Sequence, residues 1–180
     1  KHSLIANKKF FLFLNKNAAE ILNLKSPFIE KSIHESCLIK KKVIEKDEKE
    51  RNLRKILNFG HTFAHAYEAT LKYSKKLNHG EAVILGIMNA SKFSFQKNLL
   101  SKNEFELIKN HLIKFKLLTK LKKKIPYNKL SHIISFMIKD KKNNTKKINL
   151  ILLKKIGKPV LNLNFENKKI HSFLKNELIN

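Results

Sequence analysis

Four polar side chains recur at helical spacing within an otherwise apolar segment, RKILNFGHTFAHAYE. Steps of four, three and four residues separate them: Arg54, Asn58, His61 and His65. On a helix of 3.6 residues per turn, these steps fall on one face. Polar groups on such a face need partners when they are buried. The spacing therefore predicts one long helix over residues 53–73 whose polar face lines a site for a metal ion and an anionic, hydroxyl-rich ligand.

His79, in the segment NHGEAV, adds a third imidazole at the predicted start of the next helix. Neutral imidazole suits zinc, although two histidines four residues apart are weak evidence by themselves. A catalytic zinc site usually has three protein ligands. Beside His61 and His65, the third ligand could be either His79 or a carboxylate. The nearby acidic candidates are Glu50, Glu68 and Glu81. The alternative is that His61 and His65 are hydrogen-bonded core residues and that Arg54 and Glu50 form a structural ion pair.

The formal net charge of +25 invites a nucleic-acid interpretation, which the residue types weaken. Of 39 basic residues only Arg51 and Arg54 are arginine, and lysine, asparagine and isoleucine share A/T-rich codons. The lysines are scattered and not grouped with aromatic residues, as a base-stacking surface would require. We therefore expect no specific nucleic-acid ligand, although non-specific binding at low salt is expected for such a charge.

Other features favour a cytoplasmic protein with no membrane association. No apolar run reaches the about 20 residues of a membrane span, and no signal-peptide pattern opens the chain. Cys37 is the single cysteine, so no internal disulfide can form.

The rest of the pattern predicts a mainly α fold, a multi-helix bundle with a small C-terminal β-hairpin, in a single domain spanning residues 1–180. The segments KKINLILLKK and PVLNLNF, separated by Gly157-Lys158-Pro159, predict the hairpin. The helix after Gly80 is apolar around most of its circumference and is expected at the centre of the bundle. The expected helices cover residues 3–22, 27–46, 53–73, 80–100, 101–117, 129–138 and 167–178.

Local signals refine two helix starts. Ser26 before Pro27 predicts a hydroxyl cap followed by proline at the first helical position. Ser101 and Glu104 predict a capping box, in which each side chain bonds the backbone of the other residue.

The helix after Pro27 is expected to place Ile29, Ile33, Cys37 and Ile44 on its inner face. Lys40 falls on the same face. A lysine there is more often a surface side chain than a ligand contact, and Lys40 remains a candidate.

Three motifs lie between Lys40 and Val83: DEKERNLR, LNFGHTFAHAYE and HGEAV. Together they resemble the signature of the dehydroquinate synthase family, which shows DExExGxR, LNxGHTxGHAxE and HGEAV. Downstream, DKK followed by a strand and Ile156-Gly157 resembles the family's DKK…VLL…IG ending, so the resemblance covers nearly the whole chain. Asn52 and Ala64 replace family glycines, and the spacer before His79 is slightly longer. A glycine at position 52 suggests positive φ, which asparagine tolerates best.

The resemblance implies an enzyme of the shikimate pathway that converts the seven-carbon sugar acid phosphate DAHP to 3-dehydroquinate with loss of phosphate. The family uses bound NAD and zinc, or another divalent metal such as cobalt. It oxidises a hydroxyl, eliminates phosphate, reduces the ketone again and closes the ring by aldol addition.

The resemblance also assigns roles to residues of this chain. Metal binding falls on His61 and His79, and proton transfer on His65 and Glu50. The implied substrate contacts are Lys1, Lys40, Arg54, Asn58 and one lysine of the pair Lys141 and Lys142, with Lys141 favoured.

The family's third zinc ligand is a glutamate in a segment like EVIKxGLI, and the first residues, KHSLI, resemble the end of that segment. The glutamate would lie a few residues before Lys1, and no Gly-rich dinucleotide fingerprint occurs in this chain. The chain is therefore expected to be the C-terminal, metal- and substrate-binding part of a longer, homodimeric protein, without its N-terminal NAD-binding domain. Alone, it is expected to bind zinc weakly and to lack synthase activity.

Three alternatives remain open from the sequence. The first is a related sugar-phosphate cyclase that closes a different ring. The second is a basic helical module that binds RNA, for which binding would depend on salt and not on zinc. The third is a decayed gene product without activity.

Overall fold

The computed structural model describes residues 1–117, 120–139 and 147–179, which form a helical bundle with one β-hairpin. This confirms the predicted fold class. Two 3₁₀ segments cover Leu53–Asn58 and Tyr127–Lys129, and the strands are β1 (Lys147–Lys155) and β2 (Lys158–Glu166). The α-helices are α1 (His2–Ala6), α2 (Lys8–Lys16), α3 (Ala18–Leu22), α4 (Phe28–Lys46), α5 (His61–Thr70), α6 (His79–Gln96), α7 (Lys102–Lys114), α8 (Leu121–Lys124), α9 (Leu130–Lys139) and α10 (Asn167–Ile179).

Three short helices replace the single helix predicted over residues 3–22, so that prediction is wrong. Asn7 adopts an extended backbone, and its side chain accepts a hydrogen bond from the Phe10 N–H at 3.0 Å. Asn17 separates α2 from α3 and donates its side-chain amide to the Phe13 carbonyl at 2.8 Å. Asparagine side chains compete with the helical backbone for hydrogen bonds, which explains breaks at these two positions.

The N-terminal half of α4 corrects two predictions. Pro27 occupies the N-cap position, and no described side chain caps the helix, so the predicted Ser26 cap is wrong. The buried residues are Ser32, Ile39 and Val43, whereas Ile33 is 57% exposed. Cys37 and Lys40 are also exposed. The predicted inner face is therefore rotated by about one residue, or roughly 100°, from the face that packs.

The helix predicted over residues 53–73 is interrupted. The 3₁₀ segment ends at Asn58, Gly60 takes a left-handed conformation with φ of 83°, and α5 begins at His61. Glycine adopts this conformation without steric cost. Arg54 and Asn58 therefore do not continue the helical face of His61 and His65, and the single polar stripe predicted from spacing is wrong.

Helix α6 lies at the centre of the bundle, as predicted, where it packs against α5, α7 and β1. A capping box formed by Asn78 and Glu81 opens it. The box predicted at α7 is only half formed. Ser101 Oγ accepts from the Glu104 N–H at 3.3 Å, but the Glu104 carboxylate binds Lys8 Nζ at 2.7 Å and the Ile156 N–H at 3.1 Å.

The C-terminal hairpin and the last helix confirm their predictions. Strands β1 and β2 are antiparallel, with Ile148 opposite Phe165 and Leu150 opposite Leu163. The turn at Gly157 has φ of 84°, and its N–H donates to the Leu4 carbonyl at 2.8 Å. This contact docks the hairpin on α1. No helix within the described residues is both long and apolar enough to cross a bilayer.

Candidate functional site

Three imidazoles converge where the first turns of α5 and α6 meet. The ring centroids of His61 and His65 are 5.4 Å apart, those of His61 and His79 are 5.8 Å apart, and those of His65 and His79 are 6.5 Å apart. His61 and His79 are the first residues of their helices, and His65 lies one turn into α5. The rings thus reach one place from two helix N-termini, where exposed N–H groups favour anionic or oxygen-rich ligands.

Hydrogen bonds fix the tautomers of two of these imidazoles. His61 Nδ1 lies 3.3 Å from the Phe59 carbonyl oxygen, and His79 Nδ1 lies 3.0 Å from Glu68 Oε1. A carbonyl and a carboxylate oxygen can only accept, so each Nδ1 must carry the hydrogen. When the rings are neutral, each Nε2 then holds its lone pair, which is the form that coordinates metals.

Positive charge lies beside His61. Burial, and next the charge of Lys1, lower the pKa of His61 to about 4, so its ring is neutral at neutral pH. Burial and the charge of Lys40 lower the pKa of the Lys1 side chain. Lys1, which lies beside His61, and Lys40, which lies beside Lys1, together form a cationic corner suited to an anionic ligand.

The loop before the 3₁₀ segment folds around Asp47. Its carboxylate accepts the backbone N–H groups of Arg51 at 2.9 Å, Asn52 at 2.7 Å and Arg54 at 3.0 Å. The bonds from Arg54 and Asn52 are the main cause that lowers the pKa of Asp47. Asp47 is the first residue of the motif DEKERNLR, but the sequence assigned it no role. An aspartate before a turn is a common acceptor for backbone donors, and this signal could have identified it.

Glu50 and Asn58 meet across this loop. The Asn58 side-chain amide donates to Glu50 Oε1 at 2.6 Å. The positive φ expected at Asn52 occurs instead at Glu50, with φ of 53°, while Asn52 has φ of −143°. The Arg54 guanidinium donates to the Glu48 carbonyl. The structure thus links Glu50 to Asn58 and folds Arg54 onto the same loop.

Of the remaining candidates, the two lysines lie outside the described residues, and the two glutamates are engaged in other contacts. Lys141 and Lys142 lie outside the described residues. Glu81 uses its carboxylate to accept from the Asn78 N–H at 2.9 Å and to pair with Lys124 at 3.0 Å, so it serves the helix cap. Glu68 is engaged with His79.

The imidazole nitrogens of His61 and His79 are suitable ligands for a divalent metal, but the described residues do not supply a complete set of ligands. Two imidazoles with Nδ1 hydrogen-bonded and Nε2 carrying a lone pair suit zinc or cobalt. Within residues 1–117, 120–139 and 147–179, no three His, Cys, Asp or Glu side chains are already arranged to hold a metal. A metal held by His61 and His79 would need at least one further ligand.

Comparisons with known proteins agree on one family. Residues 1–143 match the family model described as 3-dehydroquinate synthase C-terminal. The 3-dehydroquinate synthase of Pelagibacter ubique is 64% identical over 178 residues, covering 99% of this chain and 48% of that protein. The enzyme of Dictyoglomus thermophilum is 39% identical over 175 residues, covering 97% of this chain and 48% of its own length. The chain thus spans about half the length of the curated relatives it matches.

Solved structures share the fold. A 2-epi-5-epi-valiolone synthase from Streptomyces hygroscopicus, with NAD⁺ and Zn²⁺ bound, superposes with a TM-score of 0.81 at 17% identity, over 98% of this chain and 48% of that one. A 2-deoxy-scyllo-inosose synthase complexed with carbaglucose-6-phosphate, NAD⁺ and Co²⁺ gives a TM-score of 0.69 at 25% identity, over 82% of this chain and 41% of that one.

Proposed function

This chain belongs to the 3-dehydroquinate synthase family, and we propose that it forms the metal- and substrate-binding part of an enzyme that converts DAHP to 3-dehydroquinate with loss of phosphate. The observation that carries the proposal is the convergence of His61, His65 and His79 beside a cationic corner. Residues 1–180 would act as a single domain. The NAD-binding domain would belong to a part of the protein outside this chain, and the whole would be a cytoplasmic homodimer.

His61 and His79 would hold the metal, zinc or cobalt, through their Nε2 atoms. When bound, a divalent cation polarises substrate oxygens and lowers the pKa of a hydroxyl that must lose its proton. The structural support is the shared tautomer of the two rings, set by the Phe59 carbonyl and by Glu68.

His65 and Glu50 would move protons. His65 lies one helical turn from His61, so a substrate oxygen near the first ring would lie within reach of the second. An imidazole is suited to exchange protons near neutral pH. The Asn58 amide, which donates to Glu50, holds that carboxylate toward the 3₁₀ segment.

Cationic and amide side chains would anchor the carboxylate and phosphate of DAHP. Arginine pairs with such groups in a two-pronged geometry, and lysine supplies a point charge. The proposed contacts are Lys1, Lys40, Arg54, Asn58 and one of Lys141 and Lys142.

The test uses the complete gene product, supplied with NAD and zinc and assayed for phosphate release and 3-dehydroquinate from DAHP. We expect turnover of DAHP and none by residues 1–180 alone. Turnover of another sugar phosphate and not of DAHP would instead identify a related cyclase, and zinc-independent RNA binding without turnover would favour the nucleic-acid alternative.

Two histidine variants separate metal binding from proton transfer. His65→Asn should lower kcat by about 10²–10⁴-fold with metal content retained, whereas His61→Asn should lose the metal. His171→Asn, at an exposed position on α10, is the matched control and should resemble the parent. A His65→Asn variant with the parent's kcat would contradict the assigned role.

A further inference from the structure

Glu68 presents a buried carboxylate to an exposed imidazole. The side chain of Glu68 is 10% exposed, whereas that of His79 is 61% exposed. Their atoms Oε1 and Nδ1 are 3.0 Å apart. The His79 ring donates this hydrogen bond to the Glu68 carboxylate. A buried carboxylate is costly without such a partner, so the contact constrains both side chains.

We propose that Glu68 is a positioning residue that sets the tautomer and orientation of His79, so that its Nε2 faces the metal. This inference rests on the proposed function. A carboxylate that accepts from one nitrogen of an imidazole leaves the other as the donor to a metal, and it increases the electron density that the ring provides.

The two proposed metal-binding histidines are oriented by different means. His61 Nδ1 faces a backbone carbonyl two residues earlier, within its own segment. His79 Nδ1 faces a side chain from the preceding helix, across the connection of residues 71–78. This connection contains the spacer that is slightly longer than in the family signature. Because Glu68 lies on α5, its hydrogen bond to His79 holds the start of α6 against α5. This contact does not depend on the length of the connection between the two helices.

A purely structural role for Glu68, as a tie between α5 and α6, makes a different prediction. A tie would affect the free energy of unfolding and leave metal affinity unchanged when the protein is folded. A positioning role affects metal affinity even in a folded variant. The measurement must therefore report metal binding and stability separately.

The experiment compares Glu68→Gln with the parent, both as complete gene products stripped of metal and titrated with Zn²⁺ against a chromophoric chelator. Glutamine keeps the size of the side chain but removes its charge and can present a donor to Nδ1. We expect Zn²⁺ affinity to fall by about 10–100-fold.

Glu177→Gln is the matched control. Glu177 also has a largely buried carboxylate, 15% exposed, and pairs with Lys92 of α6 at 2.6 Å. Lys92 lies 13 residues after His79 on the same helix, or about 20 Å along its axis. This variant should keep the parent's Zn²⁺ affinity, while chemical unfolding of the metal-free proteins reports any loss of stability in each variant.

Four results would overturn the inference. Equal Zn²⁺ affinity in Glu68→Gln and the parent would refute it while leaving the proposed function intact, and an equal loss in Glu177→Gln would assign the effect to helix packing. Absence of Zn²⁺ binding by the parent would refute both. Should Glu68→Gln fail to fold, ¹⁵N spectra of the histidines in the parent decide the matter: a neutral His79 protonated on Nδ1 supports the inference, and one protonated on Nε2 overturns it.

Discussion

Gly86 packs against Gly60 so closely that a methyl group on Gly86 would lie 2.1 Å from the Gly60 carbonyl oxygen. The contact joins the centre of α6 to the residue that precedes α5. Since His61 follows Gly60 directly, the same contact places the His61 ring near the N-terminus of α6. Absence of a side chain at both positions is therefore a condition for the meeting of the imidazoles.

Gly86→Ala should destabilise the protein because its new methyl group meets backbone atoms that cannot move aside. Overpacking of this kind costs about 1–3 kcal/mol, measured as the free energy of unfolding in urea. Gly80→Ala is the control, since a Cβ there would meet no described atom within 4 Å beyond its neighbours in the chain and its own turn of helix, and it should be at least as stable as the parent. Equal stability of Gly86→Ala and the parent would contradict the packing described.

Ser94 joins α6 to β1 through a buried hydroxyl. Its Oγ accepts from the Leu153 N–H at 3.0 Å and donates to the Ala90 carbonyl at 2.6 Å. Ser94→Ala leaves a buried N–H without its acceptor, which should lower the free energy of unfolding by about 1–3 kcal/mol.

Ser91 provides a matched comparison for Ser94, one helical turn away. It is fully buried, and its Oγ has no hydrogen-bond partner among the described residues. Ser91→Ala should therefore be neutral or slightly stabilising in the same urea experiment. A destabilisation equal to that of Ser94→Ala would show that the hydrogen bond to Leu153 contributes nothing measurable.

Asp47→Asn should weaken the loop that carries Glu50 and Arg54, in a pH-dependent manner. Backbone donors lower the pKa of Asp47 below its ordinary value of 3.8. The ionised carboxylate therefore stabilises the folded state fully above that value, and this contribution is lost as the pH falls through the lowered pKa. The parent should be more stable than Asp47→Asn at pH 7, and the difference should shrink in acid. A difference that is the same at pH 7 and pH 3 would argue against the carboxylate as the cause.

Much of the fold was predictable because its signals are local. Two short β-prone segments on either side of Gly157 indicated the hairpin, and a helix that is apolar on most sides indicated the central α6. The breaks at Asn7, Asn17 and Gly60 were missed, since the hydrophobic pattern continues across them and was given more weight than the local preference of asparagine and glycine for non-helical backbone. The predicted inner face of α4 was wrong by about one residue. Apolar side chains occur on two neighbouring faces of this helix, and only its packing in the folded protein decides which face is buried.

The three histidines that the structure brings together could be named from the sequence, but their arrangement could not. The motifs identified the histidines, but their spacing predicted one long helix that carries Arg54, Asn58, His61 and His65. In the structure this helix is interrupted at Gly60, and the imidazoles meet because the N-termini of α5 and α6 lie close together. The contacts of Asp47 with three backbone donors and of Glu68 with His79 have no periodic signal, because they join residues that the fold alone brings together. The roles assigned to the site residues remain predictions.

The most direct test of the account is anomalous scattering at the zinc edge from crystals of the complete gene product grown with zinc. The account predicts one strong peak per protomer at about 2.0–2.1 Å from the Nε2 atoms of His61 and His79. A structure in which zinc binds elsewhere, or in which these two nitrogens coordinate no metal, would contradict it.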